Sequence, residues 1–207
     1  KELMEAKETK LILATGGPAM VKAAYSSGKP AIGVGAGNGP VYIHHSADVE
    51  KALSCILQSK TFDYGTVCAS EQSIVIEAPM EQKVKEIAAK MGFYFMNKDE
   101  AGCLAKLLFK PNGTLNPEIV GRPETDLAEK AGFSVPASTR VLVAREQEAG
   151  PTRPYSMEKL CPVLAFFVME NEDAVLAKAI EVLIHEGSGH TFAMHAEDRE
   201  VIRKFAL

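Results

Sequence analysis

The chain has 207 residues, of which 46% are hydrophobic and 24% charged, with a formal net charge of -4. This composition is typical of a globular protein, and it offers neither a basic surface for nucleic acid nor a reason to bind an anionic membrane. No apolar run approaches the ~20 residues of a membrane-spanning helix, and charged residues 1–5 are unlike a signal peptide. Because the sequence does not begin with Met, we expect a processed product or a piece of a longer protein.

Apolar runs that alternate with amphipathic stretches predict an α/β fold throughout. A strand at 11–15, a helix at 19–26 and a strand at 31–34 read as one β-α-β unit. Asp48 or Ser46 is expected to cap a helix that ends near Phe62. Further strands are predicted at 73–76, 94–96, 140–144, 163–169 and 190–194, and further helices at 81–91, 100–109, 124–131, 174–184 and 198–205.

Two glycine-rich segments follow predicted strands. Thr15-Gly16-Gly17 lies between a strand and a helix, where backbone N–H groups and the helix dipole favour an anion, although glycine is also common in any tight β-α turn. The segment 33–39 superficially matches a dinucleotide fingerprint, but Val41-Tyr42-Ile43 follows it instead of a helix, so it is not that motif. Clustered glycines also allow close approach to a ligand or to another part of the backbone.

The four cysteines are widely spaced and form no C-x-x-C pair, which favours reduced thiols in a cytoplasmic enzyme over a disulfide scaffold. Cys68 lies in a loop between a predicted helix and a predicted strand, where nucleophiles are often held. Its small neighbours Ala69 and Ser70 leave backbone N–H groups that can stabilise an oxyanion. From the residues alone, a buried structural cysteine remains the more common alternative.

Five runs in the chain resemble the CoA-acylating acetaldehyde dehydrogenases, and in particular the aldehyde dehydrogenase half of bifunctional aldehyde–alcohol dehydrogenases. These runs are 11–18 (LILATGGP), 22–38 (KAAYSSGKPAIGVGAGN), 68–72 (CASEQ), 158–162 (EKLCP) and 189–191 (GHT). The resemblance implies an aldehyde dehydrogenase-like α/β fold, with residues 1–36 as the end of an NAD-binding domain and 37–207 as a catalytic domain incomplete at its C-terminus. The early nucleotide-domain strands, the family's oxyanion-holding Asn and the oligomerisation arm are absent from the chain.

The resemblance also implies a role for individual residues. Cys68 matches the catalytic thiol, and Glu158 matches the residue that holds the nicotinamide ribose hydroxyls, although a solvated surface Glu is the alternative. His190 matches a histidine of the acylating subgroup, as an acid–base or CoA-side group, with a structural His equally open. The expected cofactor-binding residues are Thr15, Gly16, Gly17, Gly35 and Glu158.

The same resemblance suggests why CoA, rather than water, accepts the acyl group. Hydrolytic relatives use a Glu as general base, and Gly33 is expected at that position here. Water needs such a base, whereas a thiol of pKa roughly 8.5 supplies some thiolate without one. The implied cofactor is NAD and the co-substrates are CoA and an aldehyde, with no metal in this domain and a homo-oligomer for the full-length protein.

Two alternatives remain at this point. The missing segments suggest a folded or partner-binding piece that is inactive by itself. A related phosphate reductase would share the fold and a Cys thioester but use NADPH; the CASEQ run at 68–72 favours the acylating enzyme over it.

Overall fold

The computed structural model describes residues 1–206 and has the mixed α/β fold that the hydrophobic pattern predicts. The strands are β1 (Ile12–Thr15), β2 (Ala31–Val34), β3 (Pro40–Ile43), β4 (Ser73–Glu77), β5 (Phe93–Phe95), β6 (Val141–Glu146), β7 (Val163–Met169) and β8 (Ala193–His195). The helices are α1 (Glu2–Glu5), α2 (Pro18–Tyr25), α3 (Val49–Thr61), α4 (Glu81–Lys90), α5 (Lys98–Leu108), α6 (Glu124–Ala131), α7 (Glu172–His185) and α8 (Arg199–Ala206). Short 3-10 turns occur at Phe62–Gly65, Ala78–Met80 and Pro154–Ser156.

The predicted β-α-β unit is confirmed at the start of the chain. β1 and β2 pair in parallel, with Ile12 opposite Ala31, and α2 connects them. Ile12, Ala14 and Ala24 form a small buried cluster between sheet and helix. Because side chains alternate across a strand, Leu13 lies on the outer face and is 72% exposed.

The remaining strands form one parallel sheet in the order β5-β6-β7-β4-β3-β8. Its central strands are buried on both faces, as is usual for a parallel sheet. α3 and α4 cover one face, where Leu53, Ile56 and Val84 are fully buried. α5, α6, α7 and α8 contribute to the core on the other face, for example through Leu104 and Leu127. The Asp48 carboxylate caps α3 by accepting from the Lys51 N–H at 3.1 Å.

Two predicted strands are displaced from their expected positions. β5 covers Phe93–Phe95 rather than 94–96, because Phe93 pairs with Val141. The strand expected at 190–194 begins only at Ala193. The preceding residues form a turn instead: Gly189 has φ +82°, and the His190 N–H donates to the Gly187 carbonyl at 2.9 Å.

The parallel arrangement brings three connecting segments to the same edge of the large sheet. Residues 37–39 precede β3, residues 68–72 precede β4, and residues 158–161 precede β7. Since β4 lies between β3 and β7, these segments meet at the amino ends of neighbouring strands. None of the helices within residues 1–206 combines the length and hydropathy required to cross a bilayer.

Candidate active site

A cavity of about 570 Å³ opens between the small sheet and the amino edge of the large sheet. Six of the seven predicted site residues border this space, which we call the thiol cavity, and only His190 does not. The lining residues are Thr15, Gly16, Gly17, Gly35, Ala36, Thr66, Val67, Cys68, Phe109, Gly113, Thr114, Leu115, Glu158, Leu160 and Glu186.

A sharply bent loop carries Cys68 to the thiol cavity. Asp63 and Tyr64 adopt left-handed backbone angles (φ 47° and 49°), and Gly65 follows with φ 76°. A Cβ on Gly65 would lie 2.8 Å from the backbone C and O of Cys161, so glycine is required where the loop packs against that segment. The Ser70 N–H then donates to the Val67 carbonyl at 3.0 Å and closes a turn around the thiol.

Cys68 and Cys161 have opposite environments. Cys68 is partly exposed at the cavity, whereas Cys161 is fully buried. Burial raises the pKa of the Cys161 thiol to about 12, so Cys161 is a structural residue that stays protonated. A fully buried cysteine therefore describes Cys161, whereas Cys68 is partly exposed at the cavity.

The glycine-rich segment lies directly against the cysteine loop. A Cβ on Gly37 would be 2.0 Å from the Cys68 carbonyl oxygen and 3.0 Å from Cε1 of His190. The Gly37 N–H donates to Oε1 of Glu158 at 2.7 Å. A Cβ on Gly39 would similarly lie 2.8 Å from the Thr191 carbonyl oxygen. Glycine at these positions therefore permits the close approach of another part of the backbone, which is one of the two roles, beside ligand contact, that the sequence left open.

Two carboxylates line the thiol cavity and are linked to each other through the backbone. Glu158 accepts from Gly37, and its own N–H donates to Oε2 of Glu186 at 2.7 Å. Burial raises the pKa of Glu158, the Gly37 hydrogen bond partly offsets this, and the Glu186 charge adds to the rise. Glu186 has no signal in the sequence, because only the end of α7 brings it to the cavity.

His190 lies beside the thiol cavity, in a second cavity of about 440 Å³ that shares Gly35, Ala36 and Glu186 with the first. Its Nδ1 accepts from the Thr191 N–H at 2.8 Å, so the neutral ring carries its proton on Nε2. Gly37 separates His190 from the Cys68 backbone. Cys68 and His190 thus lie on either side of Gly37, Cys68 in the thiol cavity and His190 in the adjoining cavity.

The orientation of Gly33 corrects one expectation. A Cβ on Gly33 would meet Val21 Cγ1 at 2.4 Å and the Tyr25 ring at 3.0 Å, so a side chain at this position points into α2. Gly33 therefore does not mark a general-base position facing the thiol. Residues 33–37 nevertheless contain no carboxylate.

Beneath the cysteine loop lies a buried polar cluster that sequence reasoning missed. Oε1 of Gln72 accepts from Nζ of Lys60 at 3.2 Å and from the Lys159 N–H at 3.0 Å. Nζ of Lys159 donates to the carbonyls of Tyr155 and Met157, both at 2.6 Å. Burial lowers the pKa of Lys60 to about 8 and that of Lys159 to about 7. Gln72 and Lys159 belong to two of the runs that carry the family resemblance, and this was the only feature of the sequence that pointed to the cluster.

Comparison with known proteins shows which enzymes the chain is similar to. The aldehyde dehydrogenase family profile matches residues 1–99. The chain is 48% identical to an acetylating aldehyde dehydrogenase from Geobacillus thermoglucosidasius, with a TM-score of 0.96 over 100% of this chain and 45% of that one. The chain is therefore similar to acetylating aldehyde dehydrogenases over its length and has the aldehyde dehydrogenase fold.

Two further proteins that the chain is similar to are related dehydrogenases. The chain is 45% identical over 195 residues to the bifunctional aldehyde-alcohol dehydrogenase of Escherichia coli (strain K12), covering 94% of this chain and 22% of that protein. It is 30% identical to the propionaldehyde dehydrogenase of Rhodopseudomonas palustris, with a TM-score of 0.88 over 99% of this chain and 46% of that one. The chain thus spans less than half of each of these relatives.

Proposed function

We propose that the protein containing this chain is a CoA-acylating, NAD-dependent aldehyde dehydrogenase that interconverts a short aldehyde and its acyl-CoA, with Cys68 as nucleophile. The observation that carries the proposal is the partly exposed Cys68 thiol in a cavity bordered by the Gly16-Gly17 turn and Glu158. A structure of the R. palustris relative has bound CoA and an acylated cysteine, which supports the same chemistry here.

The residues around the thiol cavity fit a nicotinamide dinucleotide. Gly16 and Gly17 precede α2, and the positive end of its helix dipole suits a phosphate. A Cβ on Gly17 or Gly35 would have no atom of residues 1–206 within 4 Å, so both glycines border open space. Glu158 would hold the ribose hydroxyls. The cofactor, when bound, accepts the hydride from the aldehyde carbon; NAD rather than NADP is our choice from the family resemblance.

The chain itself supplies covalent capture. The Cys68 thiolate adds to the aldehyde carbonyl and forms a thiohemiacetal, and the backbone N–H groups of Cys68 and Ala69 would stabilise its oxyanion. Loss of hydride leaves an acyl thioester on Cys68. CoA thiolate then attacks this thioester, releases acyl-CoA and regenerates the Cys68 thiolate. His190, in the adjoining cavity, is our candidate CoA-side group, because with Nδ1 accepting from Thr191 its Nε2–H can donate a hydrogen bond to the CoA thiolate.

The carboxylates of the cavity favour CoA over water as acyl acceptor. Glu158 and Glu186 are the only acidic residues among its lining residues within 1–206. Each already accepts a hydrogen bond from a backbone N–H through one oxygen, and Glu158 is also our candidate for holding the ribose. We therefore assign neither carboxylate to the activation of water. We therefore expect acyl-CoA, and not the free acid, as the main product when both acceptors are present.

The test is NADH-dependent reduction of acetyl-CoA by the intact protein and its Cys68→Ala variant. Since acyl transfer requires the nucleophile, turnover should fall by several orders of magnitude. Cys103→Ala, which removes an exposed thiol on α5, is the matched control and should keep wild-type turnover. Undiminished activity of Cys68→Ala would overturn the proposal.

We further propose, from the family resemblance, that the intact protein is a cytoplasmic homo-oligomer. The four free cysteines are compatible with a reducing compartment. Sedimentation of the intact protein tests the oligomer.

A further inference from the structure

A buried asparagine follows the glycine that separates Cys68 from His190. Asn38 is fully buried, and it ends the run 22–38 that carries part of the family resemblance, yet no step of the proposed reaction uses it. A buried amide is costly unless it forms hydrogen bonds, so buried amides normally have partners. The partners of Asn38 therefore indicate what the residue does.

The amide nitrogen of Asn38 donates to backbone carbonyls of two distant segments. Nδ2 lies 2.6 Å from the carbonyl oxygen of Ser156 and 3.3 Å from that of Val182. These residues are 118 and 144 positions further along the chain, so one side chain connects three segments. Carbonyl oxygens only accept hydrogen bonds, which fixes the amide with its nitrogen toward them.

The first of these segments carries Glu158. Ser156 is the last residue of a 3-10 turn and comes two residues before Glu158. Its hydroxyl makes two further hydrogen bonds to the backbone of the preceding loop. Since Glu158 itself accepts from the Gly37 N–H at 2.7 Å, Gly37 and Asn38 hold this segment at two neighbouring points.

The second segment carries Glu186. Val182 lies in the last turn of α7, and its carbonyl also accepts from the Glu186 N–H at 3.2 Å. A Cβ on Gly187, which has φ +101°, would lie 2.9 Å from the backbone nitrogen of Asn38 and 3.2 Å from its Cβ. The chain that leaves α7 toward the second cavity therefore packs directly against Asn38.

We propose that Asn38 is a positioning residue of the proposed active site, whose amide fixes Glu158 and Glu186 relative to the Gly37 segment and so to the Cys68 loop that packs on it. The proposal deepens the proposed function and rests on it in one respect, the assignment of Glu158 to the ribose. Without the amide, the segments that carry the two carboxylates lose a shared anchor. Nucleotide binding should weaken as a result.

The experiment compares Asn38→Ala and Asn38→Leu with wild type in the intact protein. Alanine removes both donors and most of the side-chain volume, whereas leucine removes the donors but keeps a side chain branched at Cγ, so it serves if the alanine variant does not fold. Asn171→Ala is the matched control. It removes the cap at the other end of α7, where Oδ1 accepts from the Ala174 N–H at 2.9 Å, and lowers stability at a residue that lines neither cavity.

Two readouts distinguish positioning from a general loss of stability. Amide hydrogen exchange, followed by mass spectrometry, reports on the peptides that contain the Gly37 and Glu158 N–H groups. Titration with NADH, followed by its fluorescence, gives the Kd for the nucleotide. In both Asn38 variants, exchange in these peptides and the Kd should each rise about tenfold over wild type, the factor that corresponds to one lost hydrogen bond. Asn171→Ala should match wild type in both.

Wild-type exchange in both peptides of Asn38→Leu would overturn the proposal, and so would equal increases in Kd for Asn38→Leu and Asn171→Ala. The exchange experiment contains no nucleotide, so it decides the positioning role by itself. Failure of the wild type to bind NADH would count against the proposed function, and the exchange result would still stand.

Discussion

Replacing Gly37 with alanine is expected to displace the nucleophile without touching its sulfur. The new Cβ would lie 2.0 Å from the Cys68 carbonyl oxygen and 2.8 Å from its carbonyl carbon. Ordinary van der Waals contact needs about 3.5–4.0 Å between such atoms, so the two backbone segments must separate by more than 1 Å. The two Cys68 atoms belong to the backbone, so rotation of a side chain cannot relieve the overlap.

The magnitude follows from this displacement. A misplacement of 1 Å in a catalytic group can cost about 100-fold in rate, and overpacking of a tight contact costs about 1–3 kcal/mol of stability. The Gly37 N–H, which holds Glu158 at 2.7 Å, moves with the same segment. Gly37→Ala should therefore lower kcat by about 100-fold while the protein remains folded.

The assay combines NADH-dependent acetyl-CoA reduction, the rate of Cys68 alkylation by iodoacetamide, and a urea unfolding curve. Gly102→Ala is the matched control, because Gly102 lies within α5 and its Cβ would meet no atom of residues 1–206 within 4 Å. That change should preserve activity and stabilise the helix by up to about 1 kcal/mol. Wild-type kcat and alkylation rate in Gly37→Ala would refute the close-contact argument.

Three further predictions concern the buried polar groups around the thiol. Gln72→Leu leaves the Lys60 ammonium and the Lys159 N–H without their acceptor, so it should lower the free energy of unfolding in urea by about 1–3 kcal/mol. Gln72→Glu keeps an acceptor and should lower it less. Equal losses of stability in the two variants would contradict this. Burial lowers the pKa of Lys159 to about 7 from 10.5, so the unfolded chain binds more protons between these values and stability should rise with pH across them. Lys159→Met should flatten that rise, the exposed-site control Lys83→Met should not, and an unchanged slope in Lys159→Met would count against its buried titration. Burial raises the pKa of Glu158, so the folded protein binds more protons than the unfolded chain above pH 4.5, and its stability falls as pH rises through that window. Glu158→Gln should therefore melt at a higher temperature than wild type near pH 7, and it should raise KM for the nucleotide. An unchanged KM would exclude the ribose-binding role.

Strand and helix positions were predictable where the local pattern agrees with the final environment. The run 163–169 is continuously apolar and becomes β7 with the expected boundaries. The α6 boundaries at Glu124 and Ala131 also agree, since Gly132 with φ +85° ends the helix. By contrast, the turn before β8 depends on Gly187 and Gly189 and on contacts with the 37–39 segment, which is far away in the chain.

The site was predictable only through its resemblance to a family. Cys68 and Glu158 belong to recognised runs, and the structure brings them to one cavity. Glu186 lies outside these runs and reaches Glu158 across 28 residues of sequence. Likewise, a lysine normally indicates a solvated surface, so neither Lys60 nor Lys159 signals by itself that it is buried. Long-range packing determines these positions, and local pattern does not encode it.

The position of the absent general base illustrates the same limit. Because side chains alternate along β2, only one of two neighbouring residues faces the cavity, and a shift of one residue in the alignment exchanges the inward and outward positions. Gly33 was one such position, and its Cβ direction toward Val21 is a property of strand register. Resemblance located the segment but did not fix its register.

The measurement that most directly tests the central claim is mapping of the acyl group on the enzyme. The intact protein is mixed with acetyl-CoA in the absence of nicotinamide cofactor, digested at low pH and analysed by mass spectrometry. Our account predicts a hydroxylamine-sensitive acetyl thioester on the peptide that contains Cys68. An acetyl group on a different cysteine, or none on an enzyme that still reduces acetyl-CoA, would contradict it.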